Sequence, residues 1–267
     1  MFPDFQMLGR TISTYPLLAV AGVILAGVSA CSVAKKRGYD DNVMIVFLLI
    51  SGIGVFVGSH LLYGIINIRY IIALIQNRFQ IIGSVRDLFE VLSLLFGGSV
   101  FYGGLIGGLI TGALYCRIKV LEFGVYSAMA APSIPLLHAF GRIGCFLGGC
   151  CYGVESRFGF IYTRSLVDGA NGISRFPIQL VESLLNVSLY LLLRKLLDSR
   201  RFRDCLLPLY LIIYPTGRFI LEFWRGDSFR GFIFGLSTSQ FISLPLLLFA
   251  VIMLIRRSGD RLSTIKD

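Results

Sequence analysis

Of the 267 residues, 55% are hydrophobic and only 15% are charged, giving a mean hydropathy of +0.78, whereas water-soluble domains carry about a quarter charged residues. That balance excludes an ordinary soluble globular domain and points to a chain dissolved in a bilayer. The net charge of +10 collects in loops between apolar runs, where it serves orientation and attraction to anionic lipid, and gives no support to nucleic-acid binding.

Apolar stretches of about 20 residues, the length that crosses a hydrocarbon core, fall near 15–34, 43–63, 91–115, 120–140, 178–197, 205–224 and 236–255. The sequence therefore predicts an all-α polytopic membrane protein of about seven transmembrane helices, the fourth interrupted by Pro132 and Pro135. No repeat or low-complexity linker divides it, so residues 1–267 are expected to form one integral-membrane domain. Residues 1–14 lack the cationic segment of a cleaved signal peptide, and the first span is too long for a signal core, so it reads as a retained helix. Lysines and arginines are dense at 35–37, 117–119, 194–203 and 256–266 and sparser over the longer alternate loops. The positive-inside rule then puts the N-terminus outside and the C-terminus in the cytoplasm.

Two of the external stretches are long. Residues 64–90 mix Asn67, Arg69, Tyr70, Asn77, Arg78, Arg86 and Asp87 with short apolar runs, which suits an interfacial arm lying on the bilayer. Residues 141–177 are rich in glycine and arginine, with aromatics at 158, 160, 162 and 176, and predict short strands or irregular backbone in a small external head region.

Four groups of residues could carry chemistry. Arg142 stands among glycines at 141, 144, 148, 149 and 153. Its guanidinium cannot deprotonate to escape a low dielectric, so it must meet an anion, a carbonyl or water. His138 precedes it by four residues and shares its face if a helix continues; with His60 it completes the histidines, the only imidazoles available as a general base. Either histidine could equally be satisfied by a backbone carbonyl. In the sixth span Arg218 and Glu222 are four apart, with Arg225 three further on. They read as a structural ion pair or, because one carboxylate cannot neutralise two arginines, as a surplus cation that calls for an anion. In Phe101–Gly108 the glycines at 103, 104, 107 and 108 have the spacing of close helix packing, whereas the phenol of Tyr102 needs a hydrogen-bond partner in an apolar helix. The fourth group is Cys145, Cys150 and Cys151, which fit no C-x-x-C pattern. They read as small buried hydrophobes, with a disulfide or a nucleophilic thiol as alternatives.

These segments resemble one known family. Gly141-Arg-Ile-Gly-Cys-Phe-Leu-Gly-Gly-Cys-Cys-Tyr-Gly153 is similar to the signature of the prolipoprotein diacylglyceryl transferases, and Tyr102-Gly-Gly-Leu-Ile-Gly107 resembles their His-Gly-Gly-Leu-Ile-Gly segment. Pro177-Ile-Gln-Leu-Val-Glu182 is similar to their Pro-Ser-Gln-Leu-Tyr-Glu, and Gly217-Arg-Phe-Ile-Leu-Glu-Phe-Trp-Arg225 to their Phe-Arg-Phe-x-x-Glu-Phe-x-Arg. The resemblance implies transfer of the diacylglyceryl group of phosphatidylglycerol to the lipobox cysteine of a prolipoprotein signal peptide, at the outer face of the bacterial inner membrane. A thioether forms and glycerol phosphate leaves.

The same resemblance implies that Arg142 and Arg218 hold the phosphate and that Glu222 and Arg225 complete the site. It also places Gly103, Gly104, Gly141, Gly144, Cys145, Gly153 and His60 among the substrate-contacting positions. This chain departs from the family pattern at Tyr102, where a histidine is usual, at Cys145 and Gly148, where asparagines stand, at Cys150, where a glutamate stands, and at His60, where an arginine is usual. A tyrosine of pKa about 10 is a poor resting base, so Tyr102 reads as a hydrogen-bond donor and His138 as the substitute base. No cofactor and no metal is required by this chemistry. Two alternatives stand beside it: a related transferase with another acceptor, and a non-catalytic lipid-binding or lipid-translocating protein.

Overall fold

The computed structural model describes residues 3–7, 10–68, 72, 98–165, 167–199, 202, 205–227 and 232–264. Helices dominate, and they fall into two compact units, Met1–Tyr39 with Ser127–Asp267, and Asp40–Tyr126.

In the first unit a short hairpin of β1 (Asp4–Met7) and β2 (Arg10–Ser13) leads into α1 (Thr14–Lys36). This helix is apolar nearly all round, and its large aliphatic residues, among them Val20, Ile24 and Val28, lie exposed. Such a surface is stable against hydrocarbon rather than water. Its last turn carries Lys35 and Lys36, the favourable charge for a helix C-terminus. Later in the chain α5 (Ser133–Gly148), α6 (Ile178–Leu197), α7 (Leu206–Leu221) and α8 (Thr238–Thr264) complete this unit, with α5 packed on α1 and α6, and α7 on α6 and α8.

The second unit is built on α2 (Asp41–Ile66) and α3 (Phe101–Ile118), with α4 (Phe123–Ala130) beginning within it. Asp40 caps α2 by accepting from the Asn42 N–H at 2.8 Å. The two long helices meet through small residues: the backbones of Gly54 and Gly58 lie against Gly107 and Gly103, so close that no Cβ fits between them.

Among the described residues, five helices or helical segments are long and apolar enough to cross a membrane: 14–36, 41–66, 101–118, 206–224 and 238–256. They correspond to the first, second, third, sixth and seventh predicted spans. The fourth is divided between α4 and α5 at residues 131–132, where Pro132 and Pro135 prevent one continuous helix. The fifth is α6, a 20-residue helix whose charged and polar groups keep it outside that set. The third helix begins at Phe101 rather than near 91, because 98–100 is not helical. Its predicted residues 91–97, and most of the predicted arm, including Arg69, Tyr70, Asn77, Arg78, Arg86 and Asp87, lie outside the described residues.

The stretch from 141 is a correction. Strands or irregular backbone are predicted there, but α5 runs on as a regular helix through Gly141 and Gly144 to Gly148. An interior glycine costs a helix about 1 kcal/mol, and here packing offsets that cost: a Cβ at Gly144 would stand 2.9 Å from the Tyr15 ring of α1. The helix ends in a Schellman arrangement. Gly149 takes φ +74°, its N–H donates to Phe146 O at 3.3 Å, and the Cys150 N–H donates to Cys145 O at 3.1 Å. Beyond it, β3 (Glu155–Ile161) pairs with β4 (Ser174–Arg175), and Tyr152, Tyr162 and Ala170 form a small core of their own. The expected strands are therefore present, but only after Val154.

Candidate functional site

The buried faces of three helices in the first unit carry charge. On α5 the stripe Pro135, His138, Ala139, Arg142 and Cys145 has helical spacing and is buried throughout. The assumed helical continuity from 138 to 142 is thus present. On α6 the corresponding residues are Gln179, Glu182, Ser183 and Asn186. On α7 they are Tyr210, Tyr214 and Arg218, with Glu222 opening a single 3-10 turn, Glu222–Trp224. Close approach of α6 and α7 relies on Gly217, where a Cβ would meet Leu185 Cδ2 at 2.7 Å.

Glu182 is the hub. Its Oε1 lies 3.0 Å from Arg142 Nη2, 3.7 Å from His138 Nε2 and 3.8 Å from Arg218 Nε, and it accepts from the Tyr214 hydroxyl at 3.4 Å. Tyr214 also stands 3.5 Å from His138 Nε2, and its ring stacks on Tyr210. Arg218 places Nη2 2.5 Å from Glu222 Oε2 and donates from the same nitrogen to Ser239 Oγ of α8 at 3.4 Å. Glu182 is 1% exposed, Arg218 2% and Arg142 7%. A charge so placed would cost several kcal/mol without its partners. Guanidinium edges nevertheless remain: Arg142 Nε and Arg218 Nη1 are buried without a hydrogen-bond partner among the described residues, as is Glu182 Oε2.

This corrects the surplus cation read at Arg218. Glu222 neutralises Arg218, Glu182 neutralises Arg142, and Arg225 is held by a third carboxylate, Asp227, through Nε at 2.8 Å and Nη2 at 2.6 Å. Burial opposes the Arg225 charge, but the Asp227 fork outweighs it and holds the guanidinium above its ordinary pKa. Sequence reading named Glu182 only as the end of the Pro177–Glu182 segment and gave it no role, although a carboxylate in an apolar run was the signal, and it passed over Asp227, two residues beyond Arg225. Tyr214 and Ser239 gave no signal, since their part depends on how the helices meet.

Around this cluster, Gly153 pairs with Arg225 in an isolated antiparallel bridge, fastened by Val154 N–H to Trp224 O and Gly226 N–H to Tyr152 O, each at 3.0 Å. That clamp joins the strand segment to the end of α7, and only glycine fits at 153, where the Phe176 and Trp224 carbonyls close in. Gln179 ties the segment after α5 to α6 by donating to Cys150 O at 2.8 Å and to the buried Tyr162 hydroxyl at 3.1 Å. Burial raises the Tyr162 pKa, keeping it a neutral hydrogen-bonding group. Arg175 lies 4.2 Å above the Tyr152 ring. Cys145 lies three residues beyond Arg142, Gly144 packs on Tyr15, and Gly141 and Gly148 face open space.

Thus His138, Arg142, Arg218 and Glu222 converge, with Arg225 and Gly153 beside each other. Tyr102, Gly103, Gly104 and His60 belong to the second unit. There Tyr102 is 3% exposed on α3, Gly103 packs on Gly58, Gly104 lies against Val55, and the His60 ring stands edge-on to Phe56 at 4.6 Å.

The fold and cluster define a polytopic, helical membrane protein with a buried arginine–carboxylate network. A family model described as prolipoprotein diacylglyceryl transferase matches residues 4–256. The phosphatidylglycerol–prolipoprotein diacylglyceryl transferase of Clostridium tetani is 37% identical over 246 residues, covering 90% of this chain and 91% of that protein. The enzyme numbered 2 from Clostridium perfringens is 31% identical, covering 93% and 92%, and that of Streptococcus pyogenes serotype M5 is 29% identical, covering 94% and 92%. The chain belongs to the prolipoprotein diacylglyceryl transferase family.

Proposed function

We propose that this protein transfers the diacylglyceryl group of phosphatidylglycerol to the lipobox cysteine of a prolipoprotein. The observation that carries the reading is the pair of buried guanidinium nitrogens, Arg142 Nε and Arg218 Nη1, without hydrogen-bond partners on side chains that Glu182 and Glu222 hold by their other nitrogens. A phosphodiester presents several acceptor oxygens and suits such donors. The carboxylates hold both side chains in place, so the arginines are preorganised for the lipid phosphate.

The substrate thiolate attacks the saturated glycerol carbon, the bond from that carbon to the phosphate oxygen breaks, and its electron pair stays with the departing glycerol phosphate. Negative charge gathers on the phosphate in the transition state, where Arg142 and Arg218 stabilise it. Glu222 positions Arg218, and Arg225 with Gly153 fixes the end of α7 beside the head. The thiol proton passes to His138, whose resulting charge Glu182, 3.7 Å away, offsets. Within the second unit Tyr102 acts as a hydrogen-bond donor, and on α5 of the first unit Gly141, Gly144 and Cys145 line the substrate path.

The proposed topology has seven crossings, with α4 and α5 together forming the fourth and α6 the fifth. It places the N-terminus and the small head outside, the C-terminus in the cytoplasm and the protein in the bacterial inner membrane. One contact supports it: Arg37, at the end of α1, donates to Leu197 O at the end of α6, joining two of the densely basic segments. The charge cluster, the start of α1 and the end of α5 lie at the other end of this unit, since Tyr15 meets Gly144.

The test is release of glycerol phosphate by purified protein in phosphatidylglycerol vesicles with a lipobox peptide. Release that depends on the peptide is expected. Binding of lipid without release would favour the non-catalytic alternative, and release accompanied by lipidation of some other acceptor would favour the related transferase.

A further inference from the structure

The Schellman ending of α5 does more than stop a helix. In that arrangement the residue after the left-handed glycine folds back onto the residue five places before it, and here those two positions are Cys150 and Cys145. Cys151 then adopts φ +57°, a left-handed conformation that a non-glycine side chain adopts only when its surroundings impose it. The result is three sulfurs within 4.8 Å of one another, Cys145 buried and the other two half-buried. No disulfide joins any of the described cysteines. The charge network described above uses none of these sulfurs.

We infer that Cys145, Cys150 and Cys151 form a binding site for one thiophilic divalent cation of the zinc class. Thiolates around such an ion sit about 2.3 Å from it and so about 3.8 Å apart, a contraction that side-chain rotation supplies from the observed spacing. Three ligands leave a fourth position for water. Two half-buried thiols give the ion an entry path. The backbone bonds at Gly149 and Cys150 set the ligands before the ion arrives, which reduces the ordering that binding requires. Three thiolates and a dication carry a net negative charge, and Arg142 and Arg225 lie within electrostatic reach of the thiols. Binding would fasten the end of α5 to the segment that reaches Arg225 through Gly153.

The test uses the full chain, purified in detergent and reduced, titrated with Zn2+ alone and with Cd2+ alone. One equivalent of either ion should be retained through desalting, and cadmium should give a sulfur-to-metal charge-transfer band. Cys150→Ser and Cys151→Ser, nearly isosteric, should each weaken retention at least tenfold while eluting as the parent does, and Cys205→Ser should keep the full equivalent. Six titratable thiols with no retained metal would overturn the proposal. So would a charge-transfer band that persists unchanged in Cys150→Ser, or a Cys145–Cys150 disulfide found in the protein as isolated from cells.

Discussion

Glu182 shows how one side chain organises the rest, because four groups from the two neighbouring helices, α5 and α7, turn toward it. Removing one member of a buried ion pair costs about 3–5 kcal/mol. Glu182→Gln should therefore lower the melting temperature in detergent markedly, and an unchanged melting temperature would contradict its place as hub. Arg218→Lys keeps the charge but loses the planar fork that reaches Glu222, Ser239 and a phosphate together. Turnover should fall more than tenfold, about 1.4 kcal/mol for each decade, with folding preserved; turnover equal to wild type would remove Arg218 from the site. His138→Gln keeps size and hydrogen bonding but takes away the base. Its rate deficit at neutral pH should shrink as the pH passes about 8.5, where a cysteine substrate ionises unaided. A deficit constant across that range would mean that His138 does not take the proton.

At the scale of elements, sequence pattern was most informative where chemistry conflicts with surroundings. Arg142, Arg218 and Glu222 stood out as ionisable groups in apolar runs, and all three lie in the cluster. What the pattern lacked was the partner set: Asp227 takes Arg225 and Glu182 takes Arg142, so the excess charge read from Arg218 to Arg225 depended on leaving other elements out of the count. Prolines 132 and 135 marked the break between α4 and α5 correctly, whereas the glycines of 141–148 suggested irregular backbone that helix packing overrides. Packing can be tested directly. Gly107 of α3 lies on the Gly54 backbone, so Gly107→Val should force α2 and α3 apart and lower stability. Gly27 of α1 has open space around its would-be Cβ, so Gly27→Ala should stabilise by about 0.5–1 kcal/mol. Equal melting temperatures for these two variants would refute the packing account.

For the whole molecule, the five long apolar helices make a multi-pass membrane protein, and the proposed orientation carries its own measurement. Phe158, 87% exposed on β3, and Ser199, after α6, should lie on opposite sides of the membrane. In intact cells an impermeant maleimide should label Phe158→Cys above the parent protein and leave Ser199→Cys at the parent level; equal labelling of both would refute the topology. The central claim, alkylation of a prolipoprotein thiol by phosphatidylglycerol, is tested most directly by the mass of the acceptor. Purified protein is incubated with phosphatidylglycerol and a lipobox peptide, alongside the same peptide carrying serine in place of cysteine. The account predicts that only the cysteine peptide gains one diacylglyceryl group, on sulfur, with one glycerol phosphate released for each peptide modified. An unmodified cysteine peptide, in the presence of protein that binds phosphatidylglycerol, would contradict it.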